Sequence, residues 1–292
     1  MAPIDVSFPS NHVKLAGHLY VPTSYRQGEK LPGVIVLHPG GGVKEQTAGA
    51  YAQELANQGF VALAFDRTSQ GASEGTPRCV EDPFASLEDA KSAVTFLSAN
   101  DKVDPKRVGI LGICAGGGYS IAASSTDSRV KAIATVSMVD VGLLFAGSLP
   151  KEVLLAQSGE NRIEYSKGGE VKYLPYIPEI KEDSIVLMRE AADYYLTPRG
   201  GHKNSVNKFA LWSYDTIAAY DSFSKIERLS PRPLLLVAGS AADTLDHSKM
   251  AFAKAGEPKE LFTIGGATHI DLYDRKVGEV SVKLTDFFKK HL

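Results

Sequence analysis

The chain has 292 residues, 43% hydrophobic and 23% charged, with 32 Lys and Arg against 34 Asp and Glu for a formal charge of −2. That composition excludes a disordered or fibrous protein and offers no concentrated positive charge for nucleic acid. Two cysteines exclude a disulfide scaffold, and the lack of a CxxC or Cys/His cluster argues against structural zinc.

No segment approaches the roughly 20 apolar residues that a membrane span requires. Residues 1–10 are polar and proline-bearing where a signal peptide would be apolar, so a cytoplasmic (cytosolic or organellar) protein without a membrane partner is expected. Residues 13–21 alternate loosely and read as one arm of an N-terminal antiparallel hairpin. GVIVL at 33–37, VALAF at 61–65, VGILGI at 108–113, residues 132–136 and LLLVA at 234–238 are short apolar runs suited to central strands buried on both faces. Helical patterns lie between them at 46–58, 86–99 and 248–255, and a last helix at 277–292 ends in Lys289 and Lys290. Alternating strands and helices predict an α/β fold with a mostly parallel, doubly wound sheet. The rhythm breaks between 141 and 228, a stretch rich in Tyr, Lys, Glu and Gly with helical pieces at 185–195 and 207–220. An insertion of that length predicts a helical cap over a core formed by 1–140 and 229–292.

Chemistry concentrates at three strand ends. Gly112-Ile113-Cys114-Ala115-Gly116 follows the strand at 108–111 and opens a helix, the pattern of a nucleophile elbow with Cys as nucleophile. A thiolate there would be favoured by backbone N–H groups and the helix dipole. Gly239-Ser240-Ala241-Ala242-Asp243 follows the strand at 234–238, and Gly265-Gly266-Ala267-Thr268-His269 follows a strand expected at 261–264. The order nucleophile, acid, histidine assigns Cys114 to attack, His269 to shuttle the proton and Asp243 to orient the imidazole, with Asp246 a rival for the acid. Leu37-His38-Pro39-Gly40-Gly41-Gly42 supplies the oxyanion loop. One donor would be the Ala115 N–H. Pro39 has none to give, so Gly40 or Gly41 supplies the other. With no Lys-Ser/Thr after it, the glycine run is not a P-loop. Asp66 and Arg67 read as shaping the mouth of the site, and Cys79 as an inert thiol. Trp212 and the tyrosines at 194, 195, 214 and 220 could line an acyl pocket, although helix packing explains them equally well.

These motifs resemble the α/β-hydrolase superfamily, in the branch related to dienelactone hydrolase, which also carries Cys at its elbow. HPGGGVKEQ at 38–46, GICAGGGYS at 112–120, YYLTPRGGHKNSVN at 194–207 and ATHIDLYD at 267–274 resemble a narrower group that includes fungal polyketide transferases. Pro39 departs from the Gly that many relatives have after the His. The resemblance implies an α/β-hydrolase fold and no cofactor or metal. It also implies acyl transfer from a thioester, with a polyketide synthase carrier domain as a candidate partner and a homodimer left open. A Cys nucleophile fits thioester exchange, because the acyl-enzyme keeps the activation of its donor. A stand-alone ester or lactone hydrolase is the alternative, and a catalytically silent binding scaffold is a third reading.

Overall fold

Strands that are apolar on both faces need cover on both sides, and this chain supplies it by crossing over with helices between them. A computed structural model describes residues 2–146 and 151–292. β1 (Ile4–Ser10) and β2 (Val13–Tyr20) form an antiparallel hairpin with Ile4 opposite Leu19. There follow β3 (Leu31–Leu37), α1 (Thr47–Asn57), β4 (Val61–Phe65), α2 (Pro83–Ser98), β5 (Val103–Ile113), α3 (Ala115–Ser124) and β6 (Val130–Val136). The next segment carries α4 (Val141–Ala146), α5 (Lys151–Ser166), β7 (Tyr173–Leu174), α6 (Val186–Tyr195), β8 (Phe209–Ala210) and α7 (Ser213–Ala218). A 3-10 turn at Ile226–Leu229 leads into β9 (Leu234–Gly239), α8 (Leu245–Lys254) and β10 (Lys259–Ile264). A second 3-10 turn at Ile270–Tyr273 precedes α9 (Val277–His291).

The eight-stranded sheet has the order β1-β2-β4-β3-β5-β6-β9-β10. β2 pairs antiparallel with β1 and β4, and the remaining neighbours are parallel. From β3 the chain first steps to β4 on one side and then to β5 on the other. That reversal opens a crevice at the carboxyl ends of β3 and β5, where open α/β sheets bind ligands. Leu37 pairs with Gly112 at those ends, so the loop after β3 and the turn after β5 leave the sheet side by side.

Alternation along β3 divides the core. Val34 and Val36 pack with Tyr51 and Leu55 of α1 and Leu284 and Phe288 of α9. Ile35 and Leu37 face the opposite layer, with Val94 and Leu97 of α2 and Tyr119 of α3. α1 stops where Gly59 takes φ 99°, a conformation glycine adopts without strain. α2 starts with Pro83 behind Asp82, whose Oδ1 accepts from the backbone N–H groups of Phe84 and Ala85 at 2.9 and 3.2 Å.

Between β6 and β9, α4, α5 and α7 enclose a small cluster of Leu154, Phe209, Leu211 and Tyr214. α6 lies against the 3-10 turn at Ile270–Tyr273 and sets Leu187, Ala191 and Tyr194 into the sheet-side core. α5 had no sequence signal because two of the three buried positions on its inward face are polar. Leu154, Ser158 and Asn161 face inward at helical spacing. Ser158 donates to the Leu211 carbonyl at 3.1 Å, and Asn161 bridges Glu170 and Lys172. The helix expected over 207–220 is shorter. Asn207 instead clamps both backbone groups of Ile177, at 2.8 Å each, which holds the strand pair β7–β8 before α7 begins. Among the described residues no helix is long and apolar enough to cross a membrane.

Replacing Asp82 by Ala removes the cap of α2 and should lower unfolding free energy by about 1 kcal/mol in urea titrations. An unchanged midpoint would show that the cap carries none of the helix's stability.

Candidate active site

Cys114 sits between β5 and α3 at φ 54° and ψ −122°, a strained backbone for a residue with a β-carbon. Its neighbours explain how the turn closes. A β-carbon on Gly112 would lie 2.2 Å from the Gly116 carbonyl oxygen, and one on Gly116 would lie 2.6 Å from that of Leu37. Glycine at both positions lets the start of the helix press against the strand and against the β3 loop. The strain aims the thiol into a narrow cavity of about 90 Å³.

The β3 loop is held from beneath. His38 is fully buried; its Nδ1 lies 2.7 Å from the Pro39 carbonyl and its Nε2 accepts from the Arg67 N–H at 3.2 Å. Burial and the nearby Arg67 charge lower the His38 pKa to about 3, so the ring is neutral, donating from Nδ1 and accepting at Nε2. With the loop so fixed, the N–H groups of Ala115 and Gly40 face the Cys114 sulfur and favour its thiolate. Of the two glycines the sequence left open, Gly40 meets the sulfur. Gly41, at φ 68°, lies against the Tyr176 ring, and its carbonyl accepts from Ser205 at 2.7 Å.

His269 is buried at the head of its 3-10 turn. Ser137 Oγ donates to its carbonyl at 3.0 Å, and Gly239 lets the loop approach, since a β-carbon there would lie 2.2 Å from the Ala267 carbonyl. Its Nδ1 lies 2.5 Å from Thr244 Oγ1 and its Nε2 lies 3.0 Å from Tyr273 Oη. Asp243, expected on the imidazole, is elsewhere. It is exposed, and its Oδ2 accepts from the Leu187 N–H at 3.0 Å, tying the β9 loop to the start of α6. Asp246 is also exposed and pairs with Lys249 at 3.0 Å. The chain after β9 thus presents the hydroxyl of the next residue, Thr244, to the histidine. Among the described residues no carboxylate pairs with His269.

The electrostatics follow. Burial, with a smaller push from the His247 charge, lowers the His269 pKa to about 3. Burial raises the Cys114 thiol, and interactions of its thiolate form with Tyr273, Ala115 and Gly40 pull it part of the way back. The resting pair is a neutral thiol and a neutral imidazole. Thr244 can fix the tautomer and orientation of the ring, but it brings no charge to stabilise an imidazolium.

A second buried group was not read from the sequence. Glu81 lines the cavity, and its carboxylate accepts from Arg67 at 2.5 Å, from Tyr119 at 2.6 Å and from Tyr176. Burial alone would raise its pKa, but the Arg67 charge and these hydrogen bonds together lower it, so the carboxylate is ionised. Arg67 lies over the Tyr119 ring, 4.9 Å from its centroid. It is an interior cation beneath the loop after β3, where the sequence had placed it at the mouth. The position of Arg67 after β4 was visible in the sequence, but nothing there brings Glu81 to it. The rest of the cavity wall is apolar and includes Val139, Val141, Ile177, Leu187 and Met188. Among the described residues no cluster of three or more His, Cys, Asp or Glu could hold a metal.

The model of the dienelactone hydrolase family matches residues 15–138, which include the loop after β3 and the turn at Cys114. The protein PA2218 of Pseudomonas aeruginosa is 37% identical over 98% of this chain and 80% of its own. Its crystal structure superposes with a TM-score of 0.93 over 99% of this chain and 93% of that one. YcjY of Escherichia coli is 35% identical over 98% of both chains. A Penicillium protein named polyketide transferase grgF is 26% identical over 88% of each chain. The crystal structure of that α/β hydrolase, GrgF, has a TM-score of 0.85 at 24% identity, covering 100% of this chain and 99% of that one. The fold here is accordingly that of the α/β hydrolases.

Two predictions follow from the site. His38 and His269 each have a folded pKa near 3 against an unfolded value near 6.5. The unfolded chain binds more protons in that window, so stability is full above pH 6.5 and is lost as pH falls toward 3. The melting temperature should already drop between pH 6.5 and 5, above the carboxylate range; a flat profile there would mean that the rings are not buried neutral. Separately, Thr244→Val should slow iodoacetamide alkylation of Cys114 at pH 7 by about five- to tenfold, the worth of one hydrogen bond. Asp243→Asn, which keeps the acceptor for Leu187, should change that rate by less than about threefold. A larger effect at Asp243 than at Thr244 would return the orienting role to the carboxylate.

Proposed function

This chain belongs to the dienelactone hydrolase family of α/β-hydrolase-fold enzymes, and we propose that it is an acyl transferase or thioesterase with Cys114 as nucleophile. The observation that carries the reading is the convergence of two backbone donors, Ala115 and Gly40, on one sulfur at the head of an apolar cavity. Donors aimed at the sulfur also reach the place where the oxygen of an attacked carbonyl would develop charge. Each such donor is worth roughly 3 kcal/mol of barrier.

In the first half-reaction the thiol proton passes toward His269 Nε2 and the sulfur bonds to the thioester carbonyl carbon. The oxyanion sits on Ala115 and Gly40. Collapse of this intermediate breaks the donor's C–S bond, and the departing thiolate takes the proton back from the imidazolium. In the second half-reaction His269 deprotonates the acceptor, an alcohol, a carbon acid or water, which displaces Cys114 from the acyl group, and the departing Cys114 thiolate takes that proton back from the imidazolium. Thr244 orients His269 throughout, in the role the sequence gave to Asp243. The apolar wall from α6 and from residues 176–177 would receive the acyl chain, and its exclusion of water would favour transfer over hydrolysis. The polyketide-transferase name of the Penicillium relative supports a polyketide acyl chain. The family match over the elbow and oxyanion loop supports ester or lactone hydrolysis as the second reading.

Intact-mass spectrometry after brief exposure to acyl thioesters of several lengths tests the proposal. Wild type should gain one acyl mass and Cys114→Ala none, and added acceptors should remove the adduct at acceptor-dependent rates. Absence of any thioester adduct, with turnover of an ester or lactone, would overturn thioester chemistry and leave the hydrolase.

A further inference from the structure

Tyr273 stands between the two residues that must exchange a proton. Its hydroxyl lies 3.0 Å from His269 Nε2, and Tyr273, His269 and Cys114 line one cavity, where the phenol interacts with the thiol. His269 therefore reaches the thiol through a phenol. We propose that Tyr273 is a catalytic residue that relays the proton between Cys114 and His269. The proposal rests on the reading of Cys114 as the nucleophile and deepens it.

Position in the fold makes the bridge a built feature. His269 caps one short 3-10 turn and Tyr273 ends it, and their rings meet with centroids 5.4 Å apart. That turn is pinned at its head, where Thr268 N–H donates to Asp271 Oδ2 at 3.1 Å and Asp271 N–H donates to Thr268 Oγ1 at 3.3 Å. Tyr273 is 2% exposed, packed edge-on against Tyr194 with ring centroids 5.3 Å apart. A hydroxyl so enclosed must find partners, and the two it finds are a candidate nucleophile and a candidate base.

The step balances without any further reactant. With Nδ1 donating to Thr244, the lone pair of His269 Nε2 accepts the Tyr273 O–H, and the Tyr273 oxygen accepts the Cys114 S–H. Transfer moves the thiol proton to the phenol oxygen as the phenol's own proton moves to Nε2. The products are a thiolate, an imidazolium and an unchanged neutral tyrosine. The hydrogen bonds then run the other way: the imidazolium donates to Oη, and Oη donates to the thiolate. The ionisable groups facing the relay are Tyr194 and Tyr195 around Tyr273, His247 near His269, and Glu81 near Cys114. Burial and these neighbours keep the phenol pKa well above its usual value, so tyrosinate is not an accessible stop on the way. Thr244, a neutral partner, cannot hold a standing ion pair on His269, which makes a concerted two-proton shift the available route.

The test reads Cys114 directly and needs no acyl donor. Second-order rates of iodoacetamide alkylation are measured by intact mass from pH 5 to 10, with Cys114→Ala reporting background at Cys79. Tyr273→Phe should slow alkylation at pH 7 at least tenfold and move the profile to higher pH. His269→Ala should do the same, and the double variant should lose no more than either single one. In Tyr273→Ala, added phenol should restore the rate while toluene should not, which keeps the idea testable if the Phe variant folds poorly. A Phe profile equal to wild type would make the ring a spacer, and a faster one would make it a plug between thiol and histidine. Multiplying losses in the double variant, or equal rescue by toluene, would likewise sink the relay. Loss of acylation by thioesters with the alkylation pattern intact would overturn the acyl-transfer reading and leave the relay standing.

Discussion

Everything at this site depends on how closely the first turn of α3 can approach β3 and β5. A residue held at φ 54° cannot sit in an ordinary strand-to-helix connection, and Cys114 is held there because Gly112 and Gly116 let backbone meet backbone where any β-carbon would collide. Strain of this kind costs on the order of 1–3 kcal/mol and persists only where its surroundings over-determine it. Here they do: β5 is buried between β3 and β6, and α3 packs on both β5 and β6. The thiol, the Ala115 N–H and the helix start are placed by one turn.

The opposite wall of the site is fixed by buried polarity. Arg67 meets Glu81, Ser86 and the Tyr119 ring, its backbone N–H holds His38, and His38 in turn meets Pro39, one residue from Gly40. Breaking a buried ion pair by removing one partner is far more costly than the pair's net worth, because an unpaired charge is left behind. The loop after β3 therefore stands on a foundation that tolerates little adjustment, which suits the donor role proposed for it. Glu81 also accepts from Tyr176, so the same carboxylate fastens residues between β6 and β9 to the core beside the thiol.

Much of the frame was legible because strong local rules agreed with one another. The apolar runs became β3, β4, β5, β6 and β9, and the elbow was readable from five residues, since only glycine permits that turn. The segment between β6 and β9 was harder to read. Its longest helix, α5, buries Ser158 and Asn161 through hydrogen bonds to backbone, so the helical period exists without a hydrophobic signature. At the histidine, counting from the strand end pointed to Asp243, yet a step of one residue in a turn redirects a side chain completely. Asp243 leaves toward α6 and Thr244 turns inward.

The sequence by itself determined the layered α/β frame, the thiol at the elbow and the histidine after β10, because glycine spacing and strand periodicity act over a few residues. Only the tertiary structure decided which donor, Gly40, reaches the sulfur, that Thr244 faces the imidazole, and that Glu81 pairs with Arg67 inside the site. It also decided that Tyr273 lies between thiol and histidine. Those outcomes depend on side-chain direction and on packing between segments distant in the chain. Burial turns such small angular choices into large differences in charge, proton position and chemistry, and no local pattern records them.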